Sequence, residues 1–466
     1  MKEKALHQFK EFIRNKNIAV VGLGRSNLPL IQFLLKYSTS ITGFDKATED
    51  KLSDILPSLS QKGVKFSLGE QYLEKIEDFD LIFRTPGMRP DHPAFLKAIK
   101  KGAQITSEME IFFDLCPAPI YAVTGSDGKT TTTTLIYKLL NKEGFQCHLG
   151  GNIGKPLIDQ LENIEESHRV VLELSSFQLM NMKKSPYKAV ITNITPNHLD
   201  VHTSMEEYVD AKKNIFKYQE TGHSQLILNY DNPLTRSFKG EAKGEVLYFS
   251  RQDKGVLGLV VEGDAIVLNK GETKEEILKL GEILLPGLHN VENFMAALGA
   301  TLDVVKLESI VEVAKSFTGV EHRIEPVRVI KGATIYNDSI ASSPTRTIAG
   351  LRSFEQKVIL MAGGCDKKND YTELGNVMLD TVKELVLVGP TGPKIAKALE
   401  EAQHKTQRGQ DIQVHHMDSF ENGVKKLIEL TNTGDVAMLS PASTSFDLFK
   451  NFEERGKYFK ELVSKY

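Results

Sequence analysis

Charge imbalance is missing from this sequence. Its 58 lysines and arginines stand against 61 aspartates and glutamates, a formal net charge of −3, so it lacks the basic excess of a dedicated nucleic-acid binder. Cysteine is scarce: Cys116, Cys147 and Cys365 are scattered with no CxxC pair. That excludes a disulfide framework and a cysteine-based zinc site, and fits a reducing cytosol. No apolar run approaches the ~18 residues of a membrane span, and MKEKALHQFKEFIRNKN at the start is too charged for a signal peptide. No fixed-period repeat or low-complexity tract is present, so solenoids fall away. A hydrophobic content of 41% with 26% charged residues excludes a disordered chain. The expectation is a soluble cytoplasmic protein with no nucleic-acid partner and no membrane insertion.

What the chain does have is length for roughly three domains at about 150 residues each, and short apolar runs alternating with amphipathic stretches, the pattern of parallel α/β folds. One group holds NIAVVGLG (17–24) and ITGFD (41–45). A second holds IYAVTGSDGKT (120–130), HRVVLELSS (168–176) and KAVITNITPNHLD (188–200). A third holds ATIYNDS (333–339), KVILMAGG (357–364), ELVLVGP (384–390) and DVAMLSPAS (435–443). Most of these end in Gly, Ser, Thr, Asp or Asn, where open parallel sheets bind ligands. Boundaries near 107 and 320 divide the chain into 1–107, 108–319 and 320–466. The stretch 236–282, rich in Gly, Lys and Glu, has the look of a less regular antiparallel insertion.

The strongest local signal is Val123-Thr124-Gly125-Ser126-Asp127-Gly128-Lys129-Thr130-Thr131, between an apolar strand and the helical run TTTLIYKLL. Backbone amides and a helix N-terminus there can surround phosphate oxygens. Lys129 would reach the terminal phosphates and the Thr130 hydroxyl would bind Mg2+. Val123 occupies the first glycine position of the usual GxxxxGK[ST] spacing; the alternative is a glycine turn with a chance lysine. The N-terminal VVGLGRSN is weaker. Gly22 and Gly24 begin a GxGxxG pattern that Asn27 breaks, and Asp45 ends the next strand where a dinucleotide fold places its ribose acid. Taken alone it allows an NAD-dependent oxidoreductase or a ligand-free turn.

Glu173 interrupts VVLELSS at the end of a strand expected to be buried, where a carboxylate is costly unless paired or metal-bound; a Mg2+ partner beside Thr130 is one reading and a surface glutamate the other. His198 lies on the loop after the next strand. Ser204 and Glu207 form a capping box before a helix whose apolar face is Met205, Tyr208, Val209, Ala211, Ile215 and Phe216. At 100° per residue Lys212 falls near the middle of that face and Lys213 points away. A centrally placed lysine is desolvated, with a lowered pKa, unless it snorkels past its neighbours. In Pro286-Gly287-Leu288-His289-Asn290-Val291-Glu292-Asn293 the two asparagines share a helix face; capping by Asn290 would leave Asn293 unexplained.

These motifs in this order resemble the Mur ligase family, ATP-dependent amide ligases of peptidoglycan synthesis. The resemblance runs through TGSDGKTT, GGNIG (150–154), LELSSFQL (172–179), ITPNHLD, YVDAK (208–212), GLHNVEN (287–293), EHR (321–323) and NDS (337–339). The C-terminal SPASTSFDLFKNFEERG (440–456) and GG-x-DKK (363–368) look most like members that take D-glutamate as incoming amino acid and UDP-N-acetylmuramoyl-L-alanine as acceptor. The resemblance implies an α/β protein of three domains: a Rossmann-like UDP-binding domain, a central P-loop ATPase-like parallel sheet and a C-terminal dinucleotide-fold domain. It reassigns the first glycine turn from NAD to UDP, with Ser26, Asp45 and Thr85 at the contacts.

By the same resemblance, Asn152 and His198 face the muramoyl substrate, and Ser175 and Gln178 are further substrate-binding residues. Gly125, Ser126, Asp127, Gly128, Lys129, Thr130, Thr131, Asn290, Asn293, Arg323 and Asp338 bind ATP. Thr130, Glu173, His198 and Lys212, the last as a CO2-derived carbamate, hold two Mg2+ ions. D-glutamate falls to Ser342, Lys367, Ser445, Phe446 and Phe452. Lys129, His198 and Lys212 carry the catalysis, and a monomer is expected. Two departures stand out: Ile340 replaces a lysine of several members, and Cys365 an acidic residue of some. A folylpolyglutamate-type ligase is a rival that shares the ATPase core without the Gly22–Asp45 unit. An NAD-dependent oxidoreductase would leave Lys129, Glu173 and Asn290 without roles. A nucleotide-binding regulator would not need every catalytic residue type.

Overall fold

The computed structural model describes residues 2–24, 27–38, 40–196, 201–252, 255–285, 287–366 and 369–466. They form two compact units, Met1–Phe317 and Thr318–Tyr466, built on three sheets.

The first unit opens with β1 (Ile18–Val21), β2 (Ile41–Asp45), β3 (Lys65–Leu68), β4 (Leu81–Phe83) and β5 (Gln104–Thr106). They make an all-parallel sheet in the order β3-β2-β1-β4-β5. β1 and β4 are buried along their whole length, as parallel strands covered on both faces must be. The chain reverses direction across the sheet between them, so the turn after β1 and the turn after β4 flank the crevice where such folds take ligands.

The same unit carries a nine-stranded sheet of β6 (Ile120–Thr124), β7 (Cys147–Gly151), β8 (Arg169–Glu173), β9 (Lys188–Ile191), β10 (Gln225–Asn229), β11 (Glu245–Ser250), β12 (Gly258–Glu262), β13 (Ala265–Asn269) and β14 (Lys274–Lys279). Its order is β14-β13-β12-β11-β10-β9-β6-β8-β7. The expectation for 236–282 needs correcting. β11 pairs parallel with both β10 and β12 and so extends the main sheet; the antiparallel pairs are β12 with β13 and β13 with β14. Gly263-Asp264 form the two-residue turn between β12 and β13.

The second unit contains β15 (Glu325–Ile330), β16 (Ala333–Asn337), β17 (Val358–Ala362), β18 (Val382–Leu387), β19 (Gln413–His416) and β20 (Val436–Leu439), in the order β15-β16-β20-β17-β18-β19. All pairs are parallel except β15 with β16. The ends of β16, β17 and β20 therefore lie side by side, carrying Asp338, Gly363-Gly364 and Ser440. Among the described residues no helix is long and apolar enough to cross a membrane.

Candidate active site

β6 lies between β8 and β9, so the loop that follows it is flanked by Glu173 at the end of β8 and Thr192 after β9. The loop feeds the helix Lys129–Lys142, with Gly128 as N-cap in the left-handed region at φ 76°. Gly125 is also at positive φ, 148°. A Cβ on Gly125 would overlap the Thr192 hydroxyl, and one on Gly128 would overlap Asn293 Oδ1. Both positions require glycine for space as well as for backbone conformation.

Glu173 is buried beneath this loop. Thr130 Oγ1 donates to its Oε2 at 2.6 Å and Asn152 Nδ2 donates to its Oε1 at 2.7 Å. Hydrogen bonds from two sides make the buried carboxylate tolerable, which answers the question its position raises. Asn152, expected to face the muramoyl substrate, gives one side-chain hydrogen bond to Glu173. Lys129 Nζ donates to the carbonyls of Gly125 at 2.9 Å and Ser126 at 2.7 Å. Ser126 is buried and ties the loop to its surroundings: its Oγ meets Tyr208 OH at 2.9 Å, donates to Thr195 O at 2.9 Å and accepts from Thr195 N at 2.9 Å. Two loop amides are also engaged: Ser126 N donates to Asn193 O at 2.9 Å and Asp127 N to Asn193 Oδ1 at 2.9 Å. Asp127 is exposed. Thr131 is half-buried on the first helical turn.

Asn290 and Asn293 are buried on the helix Leu288–Thr301. Asn293 Nδ2 donates to Asn290 Oδ1 at 3.2 Å, while Thr132 Oγ1 donates to Asn293 Oδ1 at 3.3 Å. Gly287, not Asn290, is the N-cap of this helix, and Asn293 abuts the phosphate loop at Gly128.

Lys212 is buried, 2% exposed, as the helix phase requires, and Lys213 reaches Glu241 at 2.6 Å on the outer side. Lys212 Nζ donates to Gly125 O at 2.8 Å and to Thr124 Oγ1 at 3.4 Å, and stands 4.7 Å from the centre of the Tyr208 ring. Burial holds its pKa well below 10.5, and the Lys129 cation pushes the same way against Glu173 and Asp127. The capping box has one arm: Ser204 Oγ accepts from Glu207 N at 3.2 Å, but the Glu207 carboxylate accepts from Thr203 N at 2.7 Å. Ser175 and Gln178 form a full reciprocal capping box of Ser176–Leu179. The S-x-x-Q spacing carries that signal in the sequence.

At the first sheet, Asp45 Oδ2 accepts from Leu23 N at 2.7 Å and Oδ1 from Ala47 N at 2.8 Å, so it shapes the glycine turn. Thr85, after β4, is half-buried and packs against Gly22. Ser26, His198 and Lys367 lie outside the described residues. Among the described residues, no three His, Cys, Asp or Glu side chains converge as a metal site.

In the second unit, Asp338 is buried, accepting from Ser440 Oγ at 2.8 Å and from Ile324 N at 3.2 Å. Burial raises its pKa to about 7 against these hydrogen bonds and the nearby cations Arg323 and Arg346. Arg323 lies between two residues at positive φ, His322 at 63° and Ile324 at 44°. Ser445 is buried, Phe446 is 59% exposed, and Phe452 is half-buried edge-on to His322.

Arg455, which the sequence reading did not single out, is buried beside Ser342. It donates to Ser339 Oγ at 3.0 Å, Ser339 O at 2.8 Å, Ser443 O at 3.0 Å and Ser342 Oγ at 3.2 Å. Burial pulls its pKa down to about 10, opposed by Asp447. Its signal was available: it is on the same helix as the buried Phe459 and Val463, four and eight residues on, the phase argument already used for Lys212.

Residues 16–107 match the Mur ligase MurD-like N-terminal domain, 123–301 the Mur ligase middle domain and 322–443 the Mur ligase glutamate ligase domain. The chain is 56% identical over 98% of both chains to the UDP-N-acetylmuramoylalanine--D-glutamate ligase of Acetivibrio thermocellus. It is 52% identical over 98% of both chains to the protein of that name from Ruminiclostridium cellulolyticum, and 51% over 99% of both to that of Clostridium novyi. The fold is also that of the UDP-N-acetylmuramate-alanine ligase of Thermotoga maritima, with a TM-score of 0.54 at 18% identity over 97% of this chain and 100% of that one. With three domain matches in order and near-complete coverage by its relatives, this chain belongs to the Mur ligase family.

Proposed function

We propose that this chain joins D-glutamate to UDP-N-acetylmuramoyl-L-alanine at the expense of ATP, as a step of peptidoglycan synthesis. The observation that carries the reading is identity of 51–56% along almost the whole length to D-glutamate ligases. In this reading residues 1–107 take the UDP moiety, 108–319 the ATP and 320–466 the amino acid, and the reaction is cytoplasmic. The acceptor carboxylate attacks the γ-phosphorus, forming an acyl phosphate and releasing ADP. The amine of D-glutamate then attacks the acyl carbon, loses a proton, and the tetrahedral intermediate expels phosphate.

The residues of the phosphate loop fit a nucleotide. Gly125, Gly128 and the start of the helix Lys129–Lys142 offer backbone N–H groups and a helix N-terminus to an anion. Lys129, now satisfied by two loop carbonyls, has the reach to exchange them for phosphate oxygens. Asn290, Asn293, Arg323 and Asp338 are assigned to the nucleotide on the family pattern. Thr130 and Glu173, already 2.6 Å apart, are a hydroxyl and carboxylate pair of the kind Mg2+ takes, with Asn152 orienting the carboxylate. When bound, Mg2+ would supply neutralisation of the phosphate charge.

Lys212 is the candidate for carbamylation. Burial lowers its pKa and so favours the neutral, nucleophilic amine; the amine nitrogen bonds to the carbon of CO2 and releases one proton, leaving an anionic carbamate. That anion, with His198, is the proposed second Mg2+ site. His198 and Lys367 keep their roles on the sequence pattern alone. Phosphate release from ATP with UDP-N-acetylmuramoyl-L-alanine, measured against a panel of amino acids, tests the whole reading. D-glutamate should be strongly preferred; efficient use of L-alanine, L-lysine or meso-diaminopimelate overturns it.

A further inference from the structure

Arg89 lies in the segment Arg84-Thr85-Pro86-Gly87-Met88-Arg89-Pro90-Asp91 that follows β4, on the side of the crevice assigned to UDP. Its guanidinium reaches across to the second sheet. Nη1 donates to Val201 O at 3.0 Å and to Glu207 Oε2 at 3.0 Å, and Nη2 to Glu207 Oε1 at 2.7 Å. Nε and Nη2 donate to Asp91 at 2.9 and 2.8 Å. All five N–H donors of the side chain are used, and both carboxylates are held by a two-pronged fork. Lysine cannot reproduce this pattern, because its ammonium is a point charge with three donors.

Glu207 sits in the first turn of the helix Met205–Lys217 and accepts in addition from Thr203 N. That helix touches the phosphate loop at two further points: Tyr208 OH at Ser126 Oγ, and Lys212 Nζ at Gly125 O. One rigid element thus runs from a clamp on the UDP-side segment to the loop expected to hold ATP. Thr195 is bonded through N and O to the same Ser126 that meets Tyr208.

We propose that Arg89 is a positioning residue for phosphoryl transfer, clamping Glu207 and Val201 so that the helix Met205–Lys217 seats Lys212 and Tyr208 against the phosphate loop. The clamp rests on the functional reading above only for what is being transferred. It borders an open cavity of about 600 Å³ lined by Arg89, Glu207, Asp210 and Lys213, so water competes for the charges and the pair adds little to stability. Its value is geometric. Arg89 holds the Glu207 carboxyl down to about 2, so the contact persists across the neutral range.

The test uses the full chain with Arg89→Ala, Arg89→Lys, Glu207→Gln and the double variant Arg89→Ala/Glu207→Gln. Arg89→Ala should lower kcat for phosphate release by about 10- to 100-fold, the scale of an ångström-level misplacement. Affinity for the UDP substrate by calorimetry and the thermal midpoint should stay near wild type. Arg89→Lys should not rescue kcat, and the double variant should be no slower than the worse single one. Hydrogen exchange of the amides at 125–130 should quicken in Arg89→Ala. That readout needs no substrate, so it separates failure of the clamp from failure of the D-glutamate assignment. Wild-type kcat in Arg89→Ala, unchanged exchange at 125–130, or losses that multiply in the double variant would each overturn the proposal, as would a kcat loss matched by a collapse of the thermal midpoint.

Discussion

Asp338→Asn turns the most deeply buried carboxyl of the second unit into a measurement. Burial raises the Asp338 pKa from 3.8 to about 7, so the native state holds its proton more tightly than the unfolded chain does. Between those two values the native state binds more protons, and stability from this group falls as pH rises, levelling off above about pH 7. At ~1.36 kcal/mol per pKa unit the full penalty is about 4 kcal/mol at high pH, and about 2 kcal/mol has already accrued by about pH 5.5. Asparagine keeps the shape, can accept from Ile324 N and can donate to Ser440 Oγ, and carries no charge to desolvate. Some of the gain is lost to weaker hydrogen bonds, about 1 kcal/mol, but that offset does not depend on pH. The variant's advantage over wild type should therefore grow by about 2 kcal/mol between about pH 5.5 and about pH 8. Hydrogen exchange of the β16 and β20 amides reports the opening free energy of this unit itself. An advantage that is the same at both pH values would refute a raised Asp338 pKa. One that shrinks with pH would reverse the sign of the argument.

Glu173→Gln should abolish phosphate release while leaving UDP-substrate binding, measured by calorimetry, nearly intact; equal losses in both would refute the division between the two sheets. Gly128→Ala places a side chain at φ 76°, costing roughly 1–2 kcal/mol in backbone strain, and displaces Asn293. Its KM for ATP should rise strongly with little change for the UDP substrate, and unaltered nucleotide affinity would count against the Asn293 contact. Lys212→Met should remove activity, with partial recovery in added short carboxylates, because they replace the carbamate anion; full activity of unmodified Lys212 in CO2-free buffer would dismiss the carbamate.

The sequence by itself determined the periodic features. The apolar run ITGFD, ending in a polar residue, is β2 residue for residue. Burial of Lys212 followed from helical phase, since a 3.6-residue period fixes which side chains share a face whatever the helix packs against. The phosphate-loop motif was legible for a related reason: it is a strand-to-helix turn whose shape is set by a few consecutive residues.

Tertiary structure alone decided which turns meet. Glu173 is joined to Thr130 and Asn152 because β8 lies between β6 and β7 in the sheet, an order that crossover connections set and local pattern does not encode. The same holds for Asn293 against Gly128 and for Arg89 against Glu207, partners separated by more than a hundred residues. Those contacts also give side chains partners that the sequence does not name. Asn152 bonds to Glu173, Ser175 and Gln178 bond to each other at a helix start, and Ser126 ties the phosphate loop to Thr195. A residue type states which bonds a side chain can make; a buried polar group must take the partner that packing brings to it, and only the folded chain names that partner.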